Sequence, residues 1–279
     1  MVEASDSRFD PLMDTVAKLD RVSSLTGSIR LVEVVPSGWT LCSDVDSHWL
    51  SEWEMRVADG LESTLGTSHP MAAAAYSLIW YASVPGLIGG AFFRASRRVP
   101  SLARESLAFR LAEGKPYPDA YALLNHKFWC LPDDPAAVHP SATVVTDESE
   151  LATVLRRQMR AHSDDFLAEF QPRARLPKRA LRGAFQDETE CGIWVGGDQQ
   201  IGAAPEVLHA TRLVFPGKAT EFGEETSMYV LDGFDGQRHL SRNRIACCYY
   251  YKIDPYPCGT CPRTDQAERR RRYATAEEN

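Results

Sequence analysis

Apolar positions along the chain recur mostly with helical spacing. Residues 10–25 and 46–65 place apolar side chains three or four positions apart, which predicts two amphipathic helices. Trp49 and Trp53 lie one turn apart in the second of these, and we interpret both as core residues rather than parts of a site. The same spacing predicts further helices at 101–113, 147–170, 178–195 and 205–214, of which 147–170 should be the longest, with Thr146 as its cap.

Extended patterns are shorter and fewer. Residues 28–41 predict a pair of strands around the turn at Pro36 to Gly38, and residues 121–131 and 142–145 predict strands of a small sheet. After Ser227, an Asp-Gly turn between two apolar runs predicts a β-hairpin. These elements predict an α+β fold, with a helix-rich body and a small antiparallel sheet.

One stretch has the length of a membrane span. From Met71 to Phe93 the chain carries 23 consecutive residues without a charge, and about 20 apolar residues suffice to cross a bilayer. The stretch is rich in alanine, however, and Pro85 interrupts it. Because proline removes a helix hydrogen bond and disfavours helical geometry at the residue before it, we predict two short buried helices that meet at Val84 and Pro85.

Composition predicts a soluble globular protein. The chain has 279 residues, of which 44% are hydrophobic and 25% charged, enough for one substantial core or two unequal lobes. Its net charge of -7 argues against nucleic acid or an anionic membrane as a partner, since both attract positively charged proteins. The first residues are polar and acidic, unlike a secretion signal, so we expect a cytoplasmic protein with reduced cysteines.

Familiar enzyme motifs do not occur in the sequence. It has neither a phosphate-binding glycine loop nor a dinucleotide fingerprint, so a nicotinamide cofactor is not expected to bind this chain directly. The seven histidines are scattered, without metal-ligand spacing. Cys42, Cys130 and Cys191 stand apart in apolar surroundings, and we interpret them as buried, inert thiols. The basic run 269–272 is interpreted as a solvated tail, with a docking patch for an acidic redox partner as the alternative.

Candidate chemistry is concentrated near the C-terminus, where four of the seven cysteines lie within fifteen residues. Cys247 and Cys248 are adjacent, and after nine further residues Cys258 and Cys261 form a Cys-x-x-Cys turn. Four thiolates brought together are the ligand set of an iron–sulfur cluster or of a structural zinc ion. The spacing differs from that of common ferredoxins, and the paired histidines of a Rieske centre are missing.

The residues alone leave both metals open. Cys-x-x-Cys turns are common in zinc knuckles, and a four-cysteine zinc site would use the same thiolates. The side chains of an adjacent pair diverge in extended backbone, so a turn must bring both sulfurs to one ion. A two-iron cluster is wider and takes ligands from both sides, which suits the adjacent pair better.

The cysteine segment resembles the C-terminal signature of the FhuF family of siderophore ferric-iron reductases. Besides the four cysteines, the resemblance is carried by Arg242 and Arg244 upstream, by Tyr249 and Tyr250 downstream, and by the final Pro262. The gap between the cysteine pairs is one residue shorter than the family's. The detailed match covers only about the last forty residues.

This resemblance implies a [2Fe-2S] cluster in a C-terminal segment, 241–279, preceded by a mixed α/β body, 1–240, that contains a siderophore cleft. The implied ligands are Cys247, Cys248, Cys258 and Cys261. Such a protein is an oxidoreductase of iron homeostasis that passes one electron to a ferric siderophore. Reduction to Fe(II) weakens binding by the siderophore's hard, anionic oxygens. The electron would come from a separate donor, such as a ferredoxin or an NAD(P)H-dependent reductase, and the acidic chain favours a cationic hydroxamate complex as substrate.

The neighbours of the cysteines receive roles from the same resemblance. Arg242 and Arg244 would tune the cluster potential or form ion pairs that stabilise the fold. Tyr249 to Tyr251 and Tyr256 would exclude water, and some of them would contact the siderophore. Two other functions remain open: a ferredoxin-like electron carrier, and a zinc-stapled siderophore-binding protein without redox activity.

Overall fold

Helices make up most of the fold in the computed structural model, which describes residues 10–22, 29–170, 175–198, 201–218, 221–234, 236–256 and 258–275. The helices of the described residues are Pro11–Val22 (α1), Ser47–Leu65 (α2), Pro70–Ser96 (α3), Glu148–Phe170 (α4), Lys178–Val195 (α5), Ala204–Val214 (α6) and Gln266–Thr275 (α7). The strands are Ile29–Leu31 (β1), Thr40–Leu41 (β2), Arg98–Pro100 (β3), Leu107–Leu111 (β4), Pro118–Leu123 (β5), Phe128–Cys130 (β6), Ala142–Val144 (β7), Met228–Asp232 (β8) and Arg238–Arg242 (β9). The predicted α+β class is confirmed.

The strands form three small sheets instead of the one antiparallel sheet predicted. The first has the order β1-β5-β4-β2 and the second β3-β6-β7, and each contains one parallel pair, β1 with β5 and β6 with β7. The third is the predicted hairpin of β8 and β9. Within 28–41 the two strands do not pair with each other, because β1 hydrogen-bonds to β5 and β2 to β4.

The helix predicted at 101–113 is wrong. This segment holds a short 3-10 turn, Arg104–Ser106, followed by β4. Strand β4 pairs with β5 on one side and with β2 on the other, so that Phe109 lies opposite both Tyr121 and Thr40. A short apolar run fits either a buried strand or a buried helix, and here pairing between distant segments decides in favour of the strand.

The amphipathic helices follow their predicted patterns. In α2 the Asp46 carboxylate accepts a hydrogen bond of 2.8 Å from the Trp49 amide, and Gly66 ends the helix with a left-handed φ of 74°. Trp53 is buried and stacks on Phe109 at 5.8 Å, as expected of a core residue, whereas Trp49 is partly buried beside it. Helices α1, α4, α5 and α6 match their predicted ranges to within a few residues.

Asp147 rather than Thr146 caps α4. The Asp147 carboxylate accepts a 2.9 Å hydrogen bond from the amide of Glu150. The Glu150 carboxylate in turn accepts hydrogen bonds from the amide and hydroxyl of Thr146. Asp147 therefore caps the helix, and Thr146 donates the reciprocal hydrogen bonds to Glu150.

The uncharged stretch forms one continuous helix, α3, instead of the two short helices predicted. At 27 residues it is also longer than α4, which has 23. Pro85 lies inside it and is buried. Tertiary contacts along the whole helix, most extensive with α5, offset the hydrogen bond that proline removes. By length and apolarity α3 passes the test for a membrane span, but 78% of its most apolar window is buried in the fold, as in the core helix of a soluble protein.

Glycines allow α3 and α5 to approach each other closely. A Cβ atom on Gly86 of α3 would lie 2.7 Å from the carbonyl carbon of Glu188, and one on Gly192 of α5 would lie 2.5 Å from the carbonyl oxygen of Gly86. Gly90 is equally close to Thr189. These positions tolerate no side chain unless the helices move apart.

We expect Gly86→Ala to lower the free energy of unfolding by about 1–3 kcal/mol, because the added methyl group meets backbone atoms of α5. This loss should exceed the gain of up to about 1 kcal/mol in helix propensity. Gly202→Ala is the control, since a Cβ there meets nothing within 4 Å. Urea unfolding followed by circular dichroism measures both, and equal stability of the Gly86 variant and wild type would contradict the close contact.

Candidate cysteine site

The cysteine segment is fixed at its start by backbone hydrogen bonds. After β9, the Arg244 amide donates to the Thr260 carbonyl at 3.2 Å, which closes the intervening loop. The fully buried Asp187 of α5 accepts from the amides of Ile245 and Ala246 at 2.9 and 2.8 Å. The residues just before the first cysteine are thereby held on α5.

Arg242 and Arg244 also contact α5. Arg242 donates to the Asp187 carbonyl at 2.6 Å, and Arg244 pairs with Glu188 at 3.1 Å and with Asp187 at 3.7 Å. Burial raises the pKa of Asp187 to about 7, although both arginines and the two amides favour its charged form. Burial alone would lower the pKa of Arg244, but Glu188 and Asp187 raise it above its usual value. The predicted ion-pair role is present for Arg244, whereas Arg242 is held by a backbone carbonyl; a role of either arginine in tuning a cluster stays a prediction.

Another glycine of α5 lets the cysteine segment lie close to the helix. A Cβ atom on Gly183 would collide with the side chain of Ile245 and lie 3.4 Å from the Ala246 amide. The segment continues directly from β9, which crosses the predicted domain boundary after residue 240. The division into 1–240 and 241–279 stays a prediction.

Each of the four thiols of the motif lies within electrostatic range of two of the others. The Cys258 thiol is hydrogen-bonded to Cys248, which lowers the pKa of Cys248 and raises that of Cys258. Arg244 further favours the Cys248 thiolate. Burial raises the pKa of Cys247, and the charges of Cys248 and Cys261 raise it further. The fold thus gathers the cysteines that the sequence separates by up to fourteen positions.

Backbone amides donate to three of these sulfurs, and that of Tyr250 donates to Cys248. The Tyr249 amide donates to Cys247 Sγ and the Arg263 amide donates to Cys261 Sγ, each at 3.4 Å. Tyr249 takes a left-handed φ of 56°, which is uncommon for a residue with a side chain. Strained backbone of this kind is frequent at functional sites.

The donor set fits a sulfur-ligated metal group. Four cysteine thiolates are the ligands of an iron–sulfur cluster, and a structural zinc ion would accept the same ligands. Over the described ranges, no three His, Cys, Asp or Glu side chains are arranged to hold a single metal ion. The fit to a metal group therefore rests on the chemistry of the four thiols and not on a preformed arrangement of their side chains.

The other three cysteines lie in different surroundings. Cys42 and Cys130 are buried, and burial raises the pKa of Cys42 to about 12 and that of Cys130 to about 11. Such thiols stay protonated and unreactive, as predicted. Cys191 is only partly buried, so its predicted burial is incomplete, but desolvation raises its pKa too.

The predicted aromatic wall is only partly present. Tyr249 is buried and Tyr251 packs beside it at 6.1 Å, with the Arg263 guanidinium 4.2 Å above the Tyr251 ring. Tyr250 is partly buried. Tyr256, by contrast, is 77% exposed and cannot exclude water, so that part of the prediction is wrong.

Sequence reasoning missed the role of Arg269, the first residue of the basic run. Its side chain is only 2% exposed, and it donates to the Tyr229 hydroxyl, the Arg242 carbonyl, Asn243 Oδ1 and the Cys261 carbonyl at 2.6 to 3.1 Å. It therefore ties α7 to the hairpin and to the last cysteine. The interpretation of this run as a solvated tail is wrong for Arg269, because the hairpin and the cysteine turn together supply four acceptors.

Tyr76 of α3 is a second residue that the sequence did not mark. Its hydroxyl is hydrogen-bonded to the Cys248 thiol, which helps to lower the pKa of Cys248. Burial raises the pKa of Tyr76 above its usual range. The residue lies in the uncharged stretch, where the apolar pattern indicates only a core helix.

Comparison with known proteins yields no matching family model and no matching curated protein. The resemblance to the FhuF family accordingly stays a prediction, supported by the cysteine motif and its neighbours.

Proposed function

We propose that this protein is a cytoplasmic [2Fe-2S] ferric-siderophore reductase. The observation that supports the proposal is the proximity of Cys247, Cys248, Cys258 and Cys261, each within electrostatic range of two of the others, with backbone amides that donate to the sulfurs of Cys247 and Cys261. Residues at these four positions are the ones that the FhuF-like motif assigns as cluster ligands.

The surrounding residues support thiolate ligation. Bound to these thiols, a [2Fe-2S] cluster would supply a one-electron donor. Arg244 favours the Cys248 thiolate, and the amides of Tyr249 and Arg263 donate to the sulfurs of Cys247 and Cys261. Tyr249 is buried near Cys247 and packs against Tyr251.

The proposed substrate is an Fe(III) complex held by hard, anionic oxygens. One electron converts the metal to Fe(II), for which these oxygens have lower affinity, and the iron is then lost to other acceptors. The electron comes from a separate reductase or ferredoxin. An acidic chain favours a cationic hydroxamate complex through its overall field.

We expect chemically reduced protein to be reoxidised by a ferric siderophore, with release of Fe(II) that a ferrous chelator traps. The experiment is anaerobic mixing of dithionite-reduced, desalted protein with ferric hydroxamate, catecholate and citrate complexes while the visible absorption bands are followed. NADH or NADPH alone should leave oxidised protein unchanged, because the sequence has no nucleotide-binding motif.

Two results would overturn this function. Protein that stays reduced with every ferric complex but reoxidises with a ferredoxin would be an electron carrier. Protein that purifies anaerobically with stoichiometric zinc and no iron would be a zinc-stapled protein without this redox chemistry.

A further inference from the structure

A cleft lies directly beside the cysteine site. It has a cavity volume of about 420 Å³ and is formed by α2, α3, the turn between β4 and β5, and the cysteine segment. Its aromatic residues come from three of these elements: Tyr76 and Trp80 from α3, Tyr117 from the turn, and Tyr250 from the cysteine segment. A volume of a few hundred Å³ is typical of small-molecule sites.

One end of the cleft is in contact with a proposed cluster ligand. The Tyr76 hydroxyl is hydrogen-bonded to the Cys248 thiol, and the Tyr250 amide donates to the same sulfur. Both tyrosines also line the cleft. A molecule bound there would therefore contact two residues that interact with Cys248.

The aromatic rings form a connected surface. Tyr76 and Trp80 have ring centroids 5.1 Å apart, and Trp80 meets Tyr117 edge to face at 5.9 Å. Tyr117 is 42% exposed, so its ring is accessible from solvent. Pairs of aromatic rings gain stability beyond the burial of their area. This favours a ligand that presents aromatic rings of its own.

The cleft offers a few hydrogen-bond donors to a ligand. The hydroxyls of Ser63, Thr64 and the tyrosines line it together with the ammonium group of Lys115, which is the one charged side chain among the described lining residues. The Ser63 hydroxyl already donates to the Gly60 carbonyl, that of Tyr250 to Asp254 and that of Tyr76 to Cys248. Lys115, Thr64 and Tyr117 therefore supply the donors that face a ligand, and no carboxylate belongs to the described lining. Carboxylates would repel anionic ligand oxygens and compete for Fe(III), whereas donors complement those oxygens.

Resting on the proposed function, we propose that this cleft binds the ferric substrate, and that it prefers complexes whose iron is held by aryl oxygens, catecholate or phenolate, over aliphatic hydroxamates. The net negative charge of the chain favours the opposite preference, for a cationic hydroxamate complex. Whole-chain charge is screened beyond about 8–10 Å in physiological salt, however, whereas Lys115 and the aromatic rings act at contact distance.

The other large cavities lack this relation to the cysteines. A cavity of about 630 Å³ near Arg94 and Arg97 is lined by arginines, of which these two pair with Glu206 and Asp133. It contains no residue of the cysteine segment. Among the cavities of the described residues, position and chemistry therefore favour the cleft at Tyr76.

Calorimetric titration of the intact protein with Ga(III) complexes tests the proposal. Ga(III) has the charge and ligand preference of Fe(III) but accepts no electron under these conditions, so binding is measured apart from reduction. We expect a tris-catecholate Ga(III) siderophore to bind at least about tenfold more tightly than a trihydroxamate one. Tyr117→Ala and Lys115→Gln should each weaken catecholate binding by about fivefold or more, through loss of one aromatic contact or one charged donor.

The matched controls are exposed residues outside the lining of the cleft: Phe234→Ala for the aromatic change and Lys127→Gln for the charge. Neither control should alter the affinity. Unchanged binding in both cleft variants would overturn the site, and tighter binding of the hydroxamate complex would overturn the substrate class. Cleft-dependent binding to protein that contains zinc and no iron would leave the site standing while the reductase function fails.

Discussion

Replacement of Cys248 by serine should abolish the visible absorption of the purified protein and its content of iron and sulfide. Cys248 is the most connected of the four thiols, since it contacts Cys258, Tyr76 and the amide of Tyr250. A serine hydroxyl is a poorer ligand for iron than a thiolate, because its oxygen is far less acidic. The same loss or a strong perturbation is expected for Cys247→Ser, Cys258→Ser and Cys261→Ser.

The remaining cysteines are the control for this series. Cys42, Cys130 and Cys191 have raised pKa values, so serine at these positions should leave the spectrum unchanged. The measurements are iron and acid-labile sulfide per chain and the absorption spectrum of anaerobically purified protein. An intact spectrum in Cys248→Ser together with its loss in Cys191→Ser would show that the ligand assignment is wrong.

Arg269→Ala should lower the free energy of unfolding by about 3 kcal/mol or more, because it removes four buried hydrogen bonds from a charged group, each of which contributes about 1.5–3 kcal/mol. Four acceptors lose their donor: the Tyr229 hydroxyl, Asn243 Oδ1 and the carbonyls of Arg242 and Cys261. Because one of these carbonyls belongs to a proposed ligand, iron content should fall as well. Urea unfolding and metal analysis of the same preparation test both effects.

The adjoining arginines provide a matched control. Arg271 pairs with Glu268 on the surface of α7, with its side chain 60% exposed, so Arg271→Ala should change stability little. Arg269→Lys keeps the charge but loses the forked set of donors, so its free energy of unfolding should lie between those of Arg269→Ala and Arg271→Ala. If Arg269→Ala and Arg271→Ala were equally stable, the four buried hydrogen bonds would contribute nothing to the fold.

Local patterns sufficed for some elements of this fold. The periodicity of α2 and α5 and the Asp-Gly turn of the hairpin predict those elements closely, because each depends on residues within one or two turns. Strand β4 depends on Tyr121 and Thr40, which are distant in sequence, and helix α3 continues through Pro85 because α5 packs against it. Contacts between residues that are distant in sequence leave no pattern in the local sequence.

Some residues of the candidate site could likewise be predicted from the sequence, and others could not. The four cysteines are visible in the sequence because sulfur ligation needs one residue type at close spacing. Asp187, Tyr76 and Arg269 are not visible, since an aspartate in a helix, a tyrosine in an apolar run and an arginine among arginines each have an ordinary interpretation. Their roles follow only from the tertiary contacts that bring them to the cysteine segment.

The tight contact between α3 and α5 has a thermodynamic consequence for whatever the thiols bind. Glu188 and Asp187 lie on the stretch of α5 that touches Gly86 and also hold the cysteine segment. A ligand that binds only the folded state stabilises every element that must be ordered to form its site. If the four thiols bind the proposed cluster, its occupancy should therefore also stabilise the contact between α3 and α5, and loss of the cluster should weaken that contact as well as the site.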